Sequence, residues 1–213
     1  MKTTVVRHSL KDQVKSILID RMIDGELAPG DRIKELQVAR ELGTSQAPVR
    51  EAIRCMETLG YVEHIPHVGA MVRTFNKDEI EEAYQVREAL EVHSTALIQD
   101  PVEALVRQLD SQLEQMQAAS RSNNIRLFTQ ADNNFHRAIV AHCGNQTMLT
   151  MWESLKMQVQ VIATLVKVSM PLDKVYLLHP PIADAFRSGS QDRASLLLKG
   201  HYKILSNYWE SFR

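Results

Sequence analysis

The chain has 213 residues, 25 lysines and arginines against 26 aspartates and glutamates, and a formal net charge of -1. With 44% hydrophobic and 24% charged residues it has the composition of an ordered globular protein of one or two domains, which excludes extended disorder. No apolar run reaches the ~18 residues of a membrane span, the N-terminus lacks a signal-peptide core, and Cys55 and Cys143 are too isolated for a disulfide framework or thiolate zinc site. The expected setting is reducing and cytoplasmic, with no membrane partner.

In chain order, apolar spacing predicts a first helix over Leu10–Met22, with Ser9 as its N-cap and Gly25 to Gly30 as its stop. A short second helix spans Lys34–Leu42 and ends at Gly43. A third starts from a Ser45 cap and runs to about Leu59, with Pro48 tolerated in its first turn. Tyr61 to Phe75 reads as a small hairpin about Pro66-His67-Val68-Gly69. Beyond Asn76 and Glu79, which resemble a capping box, about six helices are predicted, with breaks near Pro101, Ser120–Asn124, Gly144-Asn145, Met170-Pro171 and Ser188–Ser190. The expected architecture is mainly α, with a winged helix-turn-helix over residues 1–75 and an antiparallel helical bundle over 76–213.

Two short helices separated by Gly43-Thr44 have helix-turn-helix spacing. In such a unit the start of the second helix enters the major groove. Ser45, Gln46, Ala47 and Arg50 occupy that start. Gln46 suits an adenine edge, Arg50 a guanine or a phosphate, and the Ser45 hydroxyl with the helix N–H groups a phosphate. Arg54, one turn on, would reach the DNA backbone. A small helical domain with solvated arginines is the alternative. The strings Gly25-Glu26-Leu27-Ala28-Pro29-Gly30-Asp31-Arg32-Ile33, Leu42-Gly43, Pro48-Val49-Arg50-Glu51-Ala52-Ile53 and Leu59-Gly60-Tyr61-Val62 resemble the GntR family of bacterial transcription regulators over about residues 9–73. The resemblance implies a wing at His67-Val68-Gly69 reaching toward the minor groove. Gln46 stands where many members have arginine, so the family's usual operator preference does not carry over unchanged.

The second half holds polar residues at apolar positions. Asp132 and His136, four apart, share a helix face with Phe128, Phe135 and Ile139. His201 is expected on a stripe with Leu197, Ile204, Leu205 and Tyr208, and His179 at the start of a helix through Ile182 and Phe186. One carboxylate and three imidazoles suit a divalent Zn, Ni, Co, Mn or Fe ion in a bundle core; hydrogen-bonded core histidines are the alternative. Arg87 lies on the buried stripe of Ala83, Tyr84 and Leu90. A buried guanidinium requires an anionic partner: Asp132, Glu88 or Glu91, or the carboxylate of an effector. The spacing of Asp132, His136, Gly144-Asn145, His179 and His201 is similar to the FCD ligand-binding domain of FadR-type GntR regulators, in its six-helix, VanR-like form, over about residues 78–208. That resemblance implies metal binding by Asp132, His136, His179 and His201, and an Arg87 that faces the cavity. Pro180-Pro181 after His179 is less typical. Tyr84 and Trp152 are candidate pocket or core residues. His93 and His142 read as structural or surface residues, and Met148, Met151 and Met157 as gap fillers.

The function expected is a homodimeric, metal-containing repressor that binds a palindromic double-stranded DNA operator and senses a small carboxylate. A metal-braced regulator without an effector is the alternative. A metalloenzyme is disfavoured, because the sequence has no HExxH and no second carboxylate cluster beside Asp132.

Overall fold

The computed structural model describes residues 9–23, 25–74, 76–99, 102–155 and 171–210. Met157 and the apolar stretch 159–168 lie outside them, as do the side chains of Leu205 and Tyr208. The chain divides into two compact units, Met1–Thr74 and Phe75–Arg213. Among the described residues no helix is long and apolar enough to cross a membrane.

The first unit contains α1 (Leu10–Ile23), α2 (Glu35–Glu41), α3 (Gln46–Thr58), β1 (Val62–Ile65) and β2 (Gly69–Val72). Ser9 caps α1, its Oγ accepting from the Asp12 N–H at 3.2 Å. Val49, Ala52, Ile53 and Met56 form the buried stripe of α3 and close a core with Val14 and Leu18 of α1, Val38 and Ala39 of α2, and Val62, Ala70 and Val72 of the hairpin. The α2–α3 turn is tight because Gly43 adopts a φ of 62° and the Thr44 N–H returns to the Ala39 carbonyl at 2.9 Å. β1 and β2 pair antiparallel from Val62 opposite Val72 to Ile65 opposite Gly69, leaving Pro66-His67-Val68 as the loop. Gly30 to Ile33, expected as loop, instead forms a third edge. Arg32 bridges Met71, and the Ile33 N–H donates to the Ala70 carbonyl at 2.8 Å.

The second unit contains α4 (Lys77–Leu97), α5 (Glu103–Arg121), α6 (Ile125–His142), α7 (Gln146–Ser154), α8 (Leu172–Tyr176), α9 (Pro180–Arg187) and α10 (Gln191–Glu210). Asn76 and Glu79 form the expected capping box on α4, and Asn124 and Asn145 cap α6 and α7 through their side chains. These seven described helices exceed the six expected. The extra break falls at Leu177–His179, where Pro180 and Pro181 have no N–H with which to continue the ladder of α8. Phe128, Phe135 and Ile139 of α6, Leu105 and Leu109 of α5, Ile182 and Phe186 of α9, and Leu198 and Tyr202 of α10 build one apolar core. The buried stripe of α10 differs from the expected one. Ala194, Leu198, His201 and Tyr202 face inward, Leu197 is half-buried and Ile204 is exposed.

Candidate nucleic-acid interface and metal centre

In the first unit, Ser45, Gln46, Ala47, Arg50 and Arg54 are all exposed along one end and face of α3. Ser45 stands at the N-cap position, but its side chain makes no cap hydrogen bond, which leaves its hydroxyl available to an outside acceptor. Arg50 donates from Nε to Glu35 of α2 at 3.1 Å, and Arg54 lies 3.7 Å from Glu51. Both pairs are exposed, so water and salt screen them and either arginine can exchange its carboxylate for a phosphate at little cost. His67 is exposed at the tip of the hairpin with a φ of 64°, and Gly69 follows at 107°. A groove of about 640 Å³ between α3 and the hairpin is edged by Arg32, Lys34, Arg50, Arg54 and His64, with Glu35 and Glu57 as its acidic members.

In the second unit, three helices converge on a buried polar cluster. Asp132 and His136 project one above the other from α6. His179 stands at the N-cap position of α9 without making a side-chain cap bond, and His201 comes from α10. All four side chains are buried. The His136 Nε2 lies 3.3 Å from the His179 Nε2, and the Asp132 Oδ1 lies 3.0 Å from the His179 Nε2 and 3.9 Å from the His136 Nε2. Ligand nitrogens of His136, His179 and His201 all fall within 4.8 Å of one another.

The outer nitrogens are already engaged. His136 Nδ1 faces the Glu91 Oε2 at 2.7 Å, and His179 Nδ1 faces the Val175 carbonyl at 2.9 Å. Both partners are acceptors, so each Nδ1 carries a proton, and each Nε2 is left to face the other ring and a carboxylate oxygen. One carboxylate oxygen and two ring nitrogens at such distances need a proton or a cation among them. His201 Nδ1 is buried with no hydrogen-bond partner. Donors held about 2.1 Å from one ion at right or tetrahedral angles lie about 3.0–3.4 Å apart; the 3.0 and 3.3 Å contacts of His179 Nε2 match that spacing, and the 3.9 Å between Asp132 and His136 closes to it with a small side-chain shift, so the residues fit a divalent ion.

Charges around the cluster follow the same logic. Burial works to raise the Asp132 carboxyl, but the neighbouring His179, His136 and Arg87 outweigh it and hold Asp132 well below the usual carboxylate range. Burial likewise opposes ionisation of Glu91, and His136 and Arg87 reverse it. Burial lowers His201 well below its ordinary value, and the neighbouring His179 and His136 lower it further. His136 is lowered by burial against the pull of Glu91.

Arg87 is 2% exposed and donates from Nε to the Glu91 Oε1 at 2.8 Å, so of its three candidate partners in the chain Glu91 takes this bond. Its guanidinium lies 5.1 Å from the Trp152 ring and 5.7 Å from that of Tyr202. Its Nη2 is buried without a partner.

The FCD-domain family model matches residues 82–203, more than half of the chain, and the model of bacterial regulatory proteins of the gntR family matches residues 10–72. The chain belongs to the GntR family. Like other GntR regulators of the FCD type it is a DNA-binding regulator of transcription, not an enzyme. Over 197 residues it is 31% identical to the "Probable D-xylose utilization operon transcriptional repressor" of Paenarthrobacter nicotinovorans, which covers 92% of this chain and 87% of that one. It is 28% identical over 137 residues to the gluconate operon transcriptional repressor of Bacillus subtilis, covering 64% and 56%. A GntR transcriptional regulator from Rhodococcus sp. RHA1 shares the fold at a TM-score of 0.83 and 22% identity, covering 97% of this chain and all of that one.

Of the four expected metal ligands of this GntR protein, the three histidines come together, Asp132 lies against two of them, His136 and His179, and Arg87 is bonded to Glu91 beside His136. His93 is exposed and His142 half-buried, apart from it. The sequence offered Glu91 only as a partner for Arg87. Its contact with His136, 45 residues later, is a tertiary fact with no local signal. Tyr202, whose hydroxyl lies 3.3 Å from His136 Nδ1, and the Trp152 bond to Glu91 were likewise not legible.

Proposed function

We propose that this GntR-family regulator is a homodimeric repressor whose C-terminal unit holds a divalent metal at Asp132, His136, His179 and His201, and whose affinity for a palindromic operator responds to a small carboxylate. The convergence of Asp132 Oδ1, His136 Nε2 and His179 Nε2, beside the unpartnered His201 Nδ1, carries the reading. A bound cation would supply the positive charge these acceptors need and open positions for an oxygen ligand. Arg87 supports the carboxylate, because its buried Nη2 has a donor to offer. Ser45, Gln46, Ala47, Arg50 and Arg54 face the major groove and the phosphates, and the His67–Gly69 wing the adjacent groove. Two copies would match two half-sites about one DNA turn apart. The effector changes operator affinity only by binding two arrangements of the protein with different affinity.

A second reading, a metal-braced regulator without an effector, is favoured by one observation: Glu91 already neutralises Arg87. A thermal-unfolding screen of small organic acids on the metal-loaded protein, followed by gel shift with the acids that raise the unfolding temperature, separates the two. The sensor reading expects at least one carboxylate to raise stability and alter operator affinity. No response across mono-, di- and hydroxycarboxylates would overturn it.

A further inference from the structure

Glu91 is fully buried on α4, between α6 and α7, and receives donors on both carboxylate oxygens. Its Oε1 accepts from Arg87 Nε at 2.8 Å and from Trp152 Nε1 at 2.7 Å. Its Oε2 lies 2.7 Å from His136 Nδ1. The Tyr202 hydroxyl lies beside this contact, 3.3 Å from His136 Nδ1. Guanidinium and indole N–H groups can only donate, so the atom at the Oε1 position must be an acceptor. What stands at the Oε2 position then decides which nitrogen of His136 carries the proton.

We infer that Glu91 is the positioning residue that sets the His136 tautomer, holding the proton on Nδ1 so that the Nε2 lone pair faces Asp132 and His179. The inference deepens the metal reading and rests on it for its consequence, but the tautomer itself does not require a metal. An ionised carboxylate is the side chain that does this here, since both of its oxygens accept. A glutamine of the same shape cannot. With Arg87 and Trp152 fixing its amide oxygen at the Oε1 position, its NH2 group faces His136 Nδ1. That nitrogen must then accept, the ring proton moves to Nε2, and the proton occupies the direction in which a metal would be held. The His136 Nε2–H finds an acceptor in the His179 Nε2 at 3.3 Å, so the metal-free pocket tolerates the change while the liganding lone pair is lost. Outer carboxylates that orient a ligating imidazole typically change metal affinity by about 10–100-fold when removed.

The test compares wild type with Glu91→Gln as full-length proteins. Long-range 15N–1H correlation of the histidine rings in the metal-free state reads the tautomer, with His136 assigned by the loss of its peaks in His136→Gln. Zinc titration by calorimetry reads the affinity. Wild type is expected to show His136 protonated at Nδ1, and Glu91→Gln to show it protonated at Nε2 with zinc binding weakened about 10–100-fold. Should Glu91→Gln, which leaves Arg87 without its anion, fail to fold, the wild-type spectrum decides alone: a neutral His136 protonated at Nε2 overturns the inference. So does a folded Glu91→Gln that keeps the Nδ1 proton and binds zinc within threefold of wild type. Should wild type take up no zinc, the metal reading fails, and the two metal-free spectra still decide the role of Glu91.

Discussion

Replacing Arg87 by methionine separates the structural from the sensing role of this side chain. Methionine fills a similar apolar length between the Trp152 and Tyr202 rings but removes the guanidinium from Glu91, which is fully buried. Glu91 keeps Trp152 and His136 as donors but loses its cation at 2.8 Å. Breaking one side of a buried pair costs about 3–5 kcal/mol, because the surviving charge stays desolvated. With a urea dependence of about 2 kcal/mol per molar for a unit of this size, the unfolding midpoint should fall by about 1.5–2.5 M. Metal should be retained, since no ligand is altered and the loss of a nearby positive charge favours a cation. The carboxylate response of the wild type should disappear. Urea titration followed by fluorescence, with elemental analysis of the same sample, makes the measurement. A midpoint within about 0.3 M of wild type, less than the ~1 kcal/mol of a surface pair, would refute the buried-pair reasoning.

Arg50→Ala should abolish specific operator binding, whereas Gln46→Ala should relax preference at one base position at a cost of about 1–3 kcal/mol; gel-shift titration against single-base operator variants distinguishes the two. The metal-stripped protein should lose stability on acidification. His201 and His136 are depressed in the folded chain, so below ~6.5 the unfolded state binds protons that the folded state refuses, and stability falls as pH drops through that value by about 1.4 kcal/mol per unit for each such group. Thermal unfolding at pH 7.5 and 5.5 checks this, and equal unfolding temperatures would contradict it. Restoring metal at a hundredfold over its Kd should add about 2.7 kcal/mol at neutral pH, and a chelator should remove it.

The DNA-facing unit was largely legible because its determinants are local. Gly43 and Gly60 end helices, the buried stripe of α3 has helical period, and the exposed residues at its start follow from that period. Gly30 to Ile33 was missed because Pro29-Gly30 signals a loop, while the pairing with Ala70 and Val72 lies some forty residues away. Asp132 and His136 were legible through i, i+4 spacing on an aromatic-rich face. The stripe around His201 was misjudged because α10 is apolar on more than one side, and the side that is buried depends on neighbours rather than on period. Glu91 illustrates the limit most clearly. At i+4 from Arg87 it reads as one of three candidate partners for a buried guanidinium, and only the fold brings α6 and α7 against it.

Elemental analysis of protein purified without chelator tests the account most directly, carried out on wild type and on a His136→Ala, His201→Ala double variant whose fold is checked by circular dichroism. The account predicts about one divalent transition-metal ion per chain in the wild type and a near-empty double variant. A folded wild type that takes up no such metal, or a double variant that retains it at full occupancy, would contradict it.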